Sequence, residues 1–272
     1  MRSLVLSLFF VGFAASSRGE DPKPIKALLV IGGCCHDYGK QKDIITKGIS
    51  ARANVQWKIA YDPDKGTKHL NPVYEDKDWA KGFDVIVHDE CCADVNDPGL
   101  VERILKPHKD GLPGIVLHCG MHCYRTAEWK TGKSPWFEFT GLATTGHGPQ
   151  LPIEVSFAGE SPITKGLDNW KTVNEELYNN ITSKLYDTAK PLARGKQVIK
   201  SKDGKEKVED TIVAWTNEYN KKTRVFSTTL GHNNDTVADD KYLTLVTRGL
   251  LWSVNKLDEA HLKPAAKVMI DE

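Results

Sequence analysis

Apolar residues in the first half of the chain fall in short continuous runs rather than in alternation. Ile25–Gly33 (IKALLVIGG), Phe83–His88 (FDVIVH) and Gly114–Cys119 (GIVLHC) are such runs. Each reads as a strand buried on both faces, as in a parallel sheet. Val55–Tyr61 reads as a further strand. Tyr38–Ala53 carries Ile44, Ile45, Ile49 and Ala53 at helical spacing. Asp97-Pro98, a capping Asp before a first-turn Pro, opens a helix that runs to about His108. Residues 65–77, polar and broken by Gly66 and Pro72, read as a loop, and another helix is expected from Gly120 onward. This alternation predicts an α/β fold: an open, doubly wound, mainly parallel sheet with helices on both faces.

The second half has a different pattern. Pro152–Phe157, Pro191–Lys200, Asp210–Thr216 and Arg224–Thr229 read as strands separated by polar turns. They are expected to extend the same sheet as antiparallel hairpins. Asp239–Asn255 places Tyr242, Leu245, Val246, Leu250 and Val254 on one helical stripe. With no Ser/Gly linker or repeat, residues 25–257 read as a single domain, followed by a polar tail, 258–272, expected to pack weakly.

Residues 1–19 depart from this pattern. Arg2 precedes an uncharged apolar stretch from Leu4 to Ala15, followed by small residues. That is the layout of a secretory signal peptide, with cleavage expected between Ser16 and Gly19. The stretch is shorter than the roughly 20 apolar residues that span a bilayer. A secreted or periplasmic protein is expected, with no membrane association after cleavage. Losing Arg2 and Arg18 leaves 35 basic residues against 36 acidic ones, a net charge of −1. No basic stripe with interleaved aromatics stands out, so no nucleic-acid partner is expected.

The chemistry collects where strands end. The first strand runs into Cys34-Cys35-His36-Asp37, the third into His88-Asp89-Glu90-Cys91-Cys92, and the fourth into His118-Cys119-Gly120-Met121-His122-Cys123. In open α/β sheets, ligands bind beyond the carboxyl ends of the strands. Three strands thus bring all six cysteines and four of the nine histidines to one edge. The cysteines read first as cross-links bracing the loops of an exported protein. A His/Cys metal site is the second reading, since His118/His122 and Cys119/Cys123 are each four apart. No cofactor is otherwise expected. His147 sits in a glycine-flanked loop, Glu175-Glu176 follows a polar stretch, and His232-Asn233-Asn234 follows a strand.

At these positions the chain resembles the ThuA-like family, named for trehalose utilisation. The resemblance is carried by LLVIGGCCHDY at 28–38, GIVLHCG at 114–120, and Phe139-Thr140-Gly141 leading to His147. It continues through Ser161–Leu167 (SPITKGL), Glu175–Tyr178 (EELY), VFSTTLGH at 225–232, and Gly249–Trp252 (GLLW). It spans roughly Lys26 to Asn255. Two positions depart from the family pattern: Cys119 replaces a small residue, and Ser161 stands where many members have His.

The resemblance implies a flavodoxin-like sheet, similar to class I glutamine amidotransferases, and a role in carbohydrate metabolism, on disaccharides or their keto forms. A thiol such as Cys119 at a strand-to-helix turn resembles an amidotransferase nucleophile. That nucleophile needs an acid two residues after its histidine, and His232 is followed by Asn233-Asn234. Glutamine hydrolysis is therefore not expected.

The candidate catalytic residues are His36, His118, His147, Glu176 and His232, because imidazole donates and accepts protons near neutral pH. Asp89, Arg125 and Asn234 are candidates for binding a small saccharide. Two alternatives remain: a non-catalytic sugar binder in which Trp129, Trp136 and Trp215 stack on pyranose faces, and a His/Cys metalloprotein.

Overall fold

A computed structural model describes residues 23–182 and 184–263. The expected signal peptide lies outside the described residues, as does the tail from 264 onward. The described residues form one nine-stranded sheet in the order β2-β1-β3-β4-β9-β8-β7-β5-β6. Strands β1 (Ile25–Gly33), β2 (Val55–Asp62), β3 (Val85–Cys91), β4 (Gly114–Leu117) and β9 (Thr223–Thr228) run parallel. β5 (Thr144–Phe157), β6 (Trp170–Asn180), β7 (Ala189–Lys200) and β8 (Glu206–Tyr219) continue the sheet with antiparallel pairings. The sheet is thus mixed, half parallel and half antiparallel, rather than mainly parallel. The polar strands of the second half need only one buried face, which suits antiparallel pairing.

β1 shows how the continuous runs work. Successive side chains point to opposite faces of a strand. Ala27, Leu29 and Ile31 pack against α1 (Tyr38–Ser50) and α5 (Asp240–Ser253). Leu28 and Val30 pack against α2 (Pro98–Lys109) and α3 (Pro135–Thr140). Both faces are therefore covered by helices, and each of these Leu, Ile or Val side chains contributes about 1.5–3 kcal/mol by leaving water. Helix starts follow their caps: Asp97 accepts from the Leu100 amide at 2.7 Å, and Asp239 from that of Lys241 at 2.7 Å.

Several expectations need correction. The third strand is Val85–Cys91, so His88, Asp89 and Glu90 lie inside it and are buried. Burial is tolerable for His88 and Glu90 because they meet partners of their own. Tyr74 donates to Glu90 at 2.6 Å, His88 Nδ1 lies 2.9 Å from Glu90, and His88 Nε2 lies 3.1 Å from His108 Nε2. No α-helix starts at Gly120; His118–His122 is a single 3-10 turn. His147 lies within β5, and Glu175-Glu176 within β6, a strand that the sequence pattern missed. The described part of the tail docks: Leu262 bridges Ala53, and the Lys263 amide donates to the Arg52 carbonyl at 2.7 Å.

β5 also decides where the site lies. Only its end, from Glu154 to Phe157, pairs with β7. From Thr144 to Pro152 it pairs with β6 alone, with three irregularities along the β5–β6 register. Bulges bend a strand, and here the freed β5–β6 hairpin reaches the carboxyl edge of the parallel strands.

Candidate functional site

The edge is built on tight backbone. Gly33 ends β1 at φ +94°, and a Cβ there would sit 2.2 Å from the Cys91 carbonyl oxygen. Only glycine lets β1 and β3 close at this point. His118 follows β4 with φ +40°, an uncommon conformation for a residue with a side chain and one that recurs at functional sites.

From these ends, side chains distant in sequence converge. The ring of His36 lies 4.6 Å from that of His118 and 4.8 Å from that of His232, centre to centre. Glu176 comes in from β6. Its carboxylate is 3.2 Å from His232 Nδ1, 3.5 Å from His118 Nε2 and 3.5 Å from His147 Nε2. His118 Nδ1 donates to the Thr229 carbonyl at 2.7 Å, and His147 Nδ1 to the Gly148 carbonyl at 2.8 Å. A carbonyl only accepts, so each Nδ1 carries the hydrogen and each Nε2 faces Glu176. All five sequence candidates for catalysis therefore meet in one place. His147 is 41% exposed, whereas His118 is 2% exposed.

The environment sets their charge. Burial, then the neighbouring His118 and His232, lowers the His36 pKa to about 2, so this ring stays neutral. Burial alone would raise the Glu176 pKa, but contacts from His118 and His232 outweigh it and hold the carboxyl well below its usual range. His232 moves upward, chiefly through its contact with Glu176. His122, stacked on Tyr178 at 4.1 Å, is pushed down by burial and then by Arg125.

The proposed binding residues are placed less directly. Asp89 is buried, and burial followed by Glu90 raises its pKa to about 8. Arg125 donates to the His122 and Thr145 carbonyls at 2.8 and 3.2 Å, and its guanidinium lies over Trp129. Asn234 donates to Asp37 at 3.0 Å beside the site. Trp136 and Trp215 are fully buried and donate to the Gly120 and Thr140 carbonyls, so neither can stack on a sugar. Trp129 keeps a partly open face.

Residues outside the candidate site set hold the site together. Glu175, fully buried, accepts from the amides of His232 and Asn233 at 3.0 and 2.9 Å. Gln41 donates to the Gly231 and His232 carbonyls from the other side. Gln150 lies 2.9 Å from His232 Nε2 and donates to Glu176 at 3.1 Å. Adjacent acids beside Leu-Tyr were the available signal for Glu175; nothing local pointed to Gln41 or Gln150.

The cysteines divide into two groups beside the histidines. Disulfides join Cys34 to Cys35 and Cys91 to Cys119. Cys92 and Cys123 are free, buried thiols with sulfurs 3.0 Å apart. Cys91 and Cys92 alternate faces at the end of β3, so the i, i+4 pair Cys119/Cys123 is split between them.

Fold and site together define an α/β protein with a histidine–carboxylate centre at the carboxyl edge of its parallel strands. Residues 35–253 match the ThuA family model, described as trehalose utilisation, and the chain belongs to that family. It is similar in structure to a ThuA-like protein from Parabacteroides merdae ATCC 43184, with a TM-score of 0.63 at 18% identity, covering 85% of this chain and 90% of that one. A ThuA-like protein from Bacteroides uniformis ATCC 8492 gives a TM-score of 0.58 at 16% identity, covering 92% and 98%. Likeness at these identities is one of fold. A search of curated proteins found no match.

Proposed function

We propose that this ThuA-family protein is exported and acts on a disaccharide or keto-sugar at the cluster of His36, His118, His147, Glu176 and His232. One observation carries the reading: a single buried carboxylate lies within 3.5 Å of three imidazoles drawn from three separate segments. Held ionised by its neighbours, Glu176 lets His232 keep a proton to higher pH than a free histidine does. Such a pair can deliver a proton to a departing sugar oxygen or take one from a hydroxyl. His147, 41% exposed, is the most open of the three histidines around Glu176. Asn234, bonded to Asp37, and Arg125, bonded to the His122 and Thr145 carbonyls, offer polar groups that suit the hydroxyls of a saccharide better than a large apolar ligand. The family name supports a carbohydrate, and the order β2-β1-β3-β4-β9 supports a flavodoxin-like parallel half.

The test is turnover of a panel of disaccharides and keto-disaccharides by purified protein, followed by mass spectrometry. Wild type is expected to convert at least one member, and His118→Ala and His232→Ala to lose most of that activity. Calorimetric binding without product would replace catalysis with sugar binding. Equal turnover by wild type and both variants would remove the site assignment.

A further inference from the structure

Several possible ligand atoms of this site lie close to one another. His36, His118 and His232 can each present a ring nitrogen such that all three lie within 4.8 Å of one another. His36 Nδ1, His118 Nε2 and His232 Nδ1 are buried and make no hydrogen bond. Leaving a buried polar nitrogen without a well-formed hydrogen bond costs about 1–3 kcal/mol; His118 Nε2 and His232 Nδ1 have only the Glu176 carboxylate near them, and His36 Nδ1 has no bonding partner among the described residues. Glu176 adds a carboxylate to the same space, 3.2 Å from His232 Nδ1 and 3.5 Å from His118 Nε2.

We infer that His36, His118 and His232, with Glu176, form a binding site for one divalent transition-metal ion. This deepens the site assigned above but stands on donor geometry rather than on the saccharide reading. Small side-chain rotations bring the nitrogens from their present spacing to the metal–nitrogen distances of about 2.0–2.1 Å. The support around the ligands is already in place. The Thr229 carbonyl takes the Nδ1 hydrogen of His118, which presents Nε2 as a lone pair, the usual outer-sphere arrangement of a ligating histidine. The His232 backbone is clamped by Glu175 and Gln41. Imidazoles with one carboxylate suit zinc, iron, nickel or copper better than calcium or magnesium. His36 could also be grouped with Cys91 and Cys119, but those sulfurs are joined to each other and offer no thiolate. A cation held here would polarise a sugar carbonyl or hydroxyl and acidify a bound water.

The test uses tag-free protein, stripped with chelator and titrated separately with Zn²⁺ and Co²⁺. Mass-spectrometric metal analysis and calorimetry are expected to give one ion per chain. The cobalt form is expected to have visible d–d bands without thiolate charge transfer. His118→Ala and His232→Ala, checked for folding by circular dichroism, are each expected to weaken binding about 100-fold or more. His36→Gln provides a third, milder variant. Retention of less than about 0.1 equivalent of either metal by wild type overturns the inference. So does undiminished affinity in folded variants, or a cobalt–thiolate band. Metal binding without saccharide turnover leaves this inference standing and removes the catalytic reading; turnover by protein that binds no metal does the reverse.

Discussion

Glu175→Gln tests whether the clamp on the His232 loop is structural support for the site. The carboxylate is fully buried, and its two oxygens each take a backbone amide, from His232 at 3.0 Å and Asn233 at 2.9 Å. Glutamine keeps the shape but turns one acceptor oxygen into an NH2 donor facing an N–H. One hydrogen bond to a charged group is lost, about 1.5–3 kcal/mol, and a buried amide is left without an acceptor. The expected cost is about 3 kcal/mol. For a chain of this size about 1 kcal/mol moves the melting temperature by 2–4 °C, so Tm should fall by about 6–12 °C. Amide exchange should localise the loss, with the protons of residues 232 and 233 exchanging about 100-fold faster. A Tm within about 2 °C of wild type, with unchanged exchange at both amides, would refute the reasoning.

Two further predictions concern pH and thiols. Burial, then the neighbouring His88, holds the His108 pKa at about 3, against 6.5 for a free histidine. The unfolded chain therefore takes up the proton first. This stability is complete above about pH 6.5 and is lost as pH falls toward 3, about 2 kcal/mol of it between pH 7 and pH 5. In urea unfolding, the stability gap between wild type and His108→Gln should narrow by about that amount from pH 7 to pH 5; a constant gap would sink the idea. A thiol reagent should find no reactive thiol in the native protein and two per chain after unfolding, from Cys92 and Cys123. Burial pushes the Cys92 thiol up and keeps it unreactive. Six thiols, or none, would contradict the disulfide pattern.

Legibility varied with how local the cause was. β1 and α2 were readable almost to the residue, because a continuous apolar run and a capping Asp-Pro act on their own segments. The start of α1 at Tyr38 was equally clear. β6 was not, because WKTVNEELYNN puts charges where an isolated strand would need apolar residues. Its two glutamates are buried by partners far away in sequence, the amides of 232 and 233 and the side chains of His118, His147 and His232. The chain from Gly120 onward looked like a helix start, but only a single turn forms, at His118–His122. The four-residue spacing of Cys119 and Cys123 gave no clue that one would be bonded to Cys91 and the other left a free thiol beside Cys92.

Local pattern already placed His36 and His118 just beyond the ends of β1 and β4, at one edge of the sheet. Main-chain geometry and apolar burial dictate that, and both are written in neighbouring residues. It also marked His36, His118, His147, Glu176 and His232 as the chemistry to watch. Only the tertiary structure decided that these five meet. The β5–β6 pair meets β7 only through the last residues of β5 and is bent by irregular pairing, so that Glu176 reaches His118, His147 and His232, up to 58 positions away in the chain. Charge state followed from that meeting. A histidine is neutral or protonated according to the groups that surround it, and those groups come from every part of the fold.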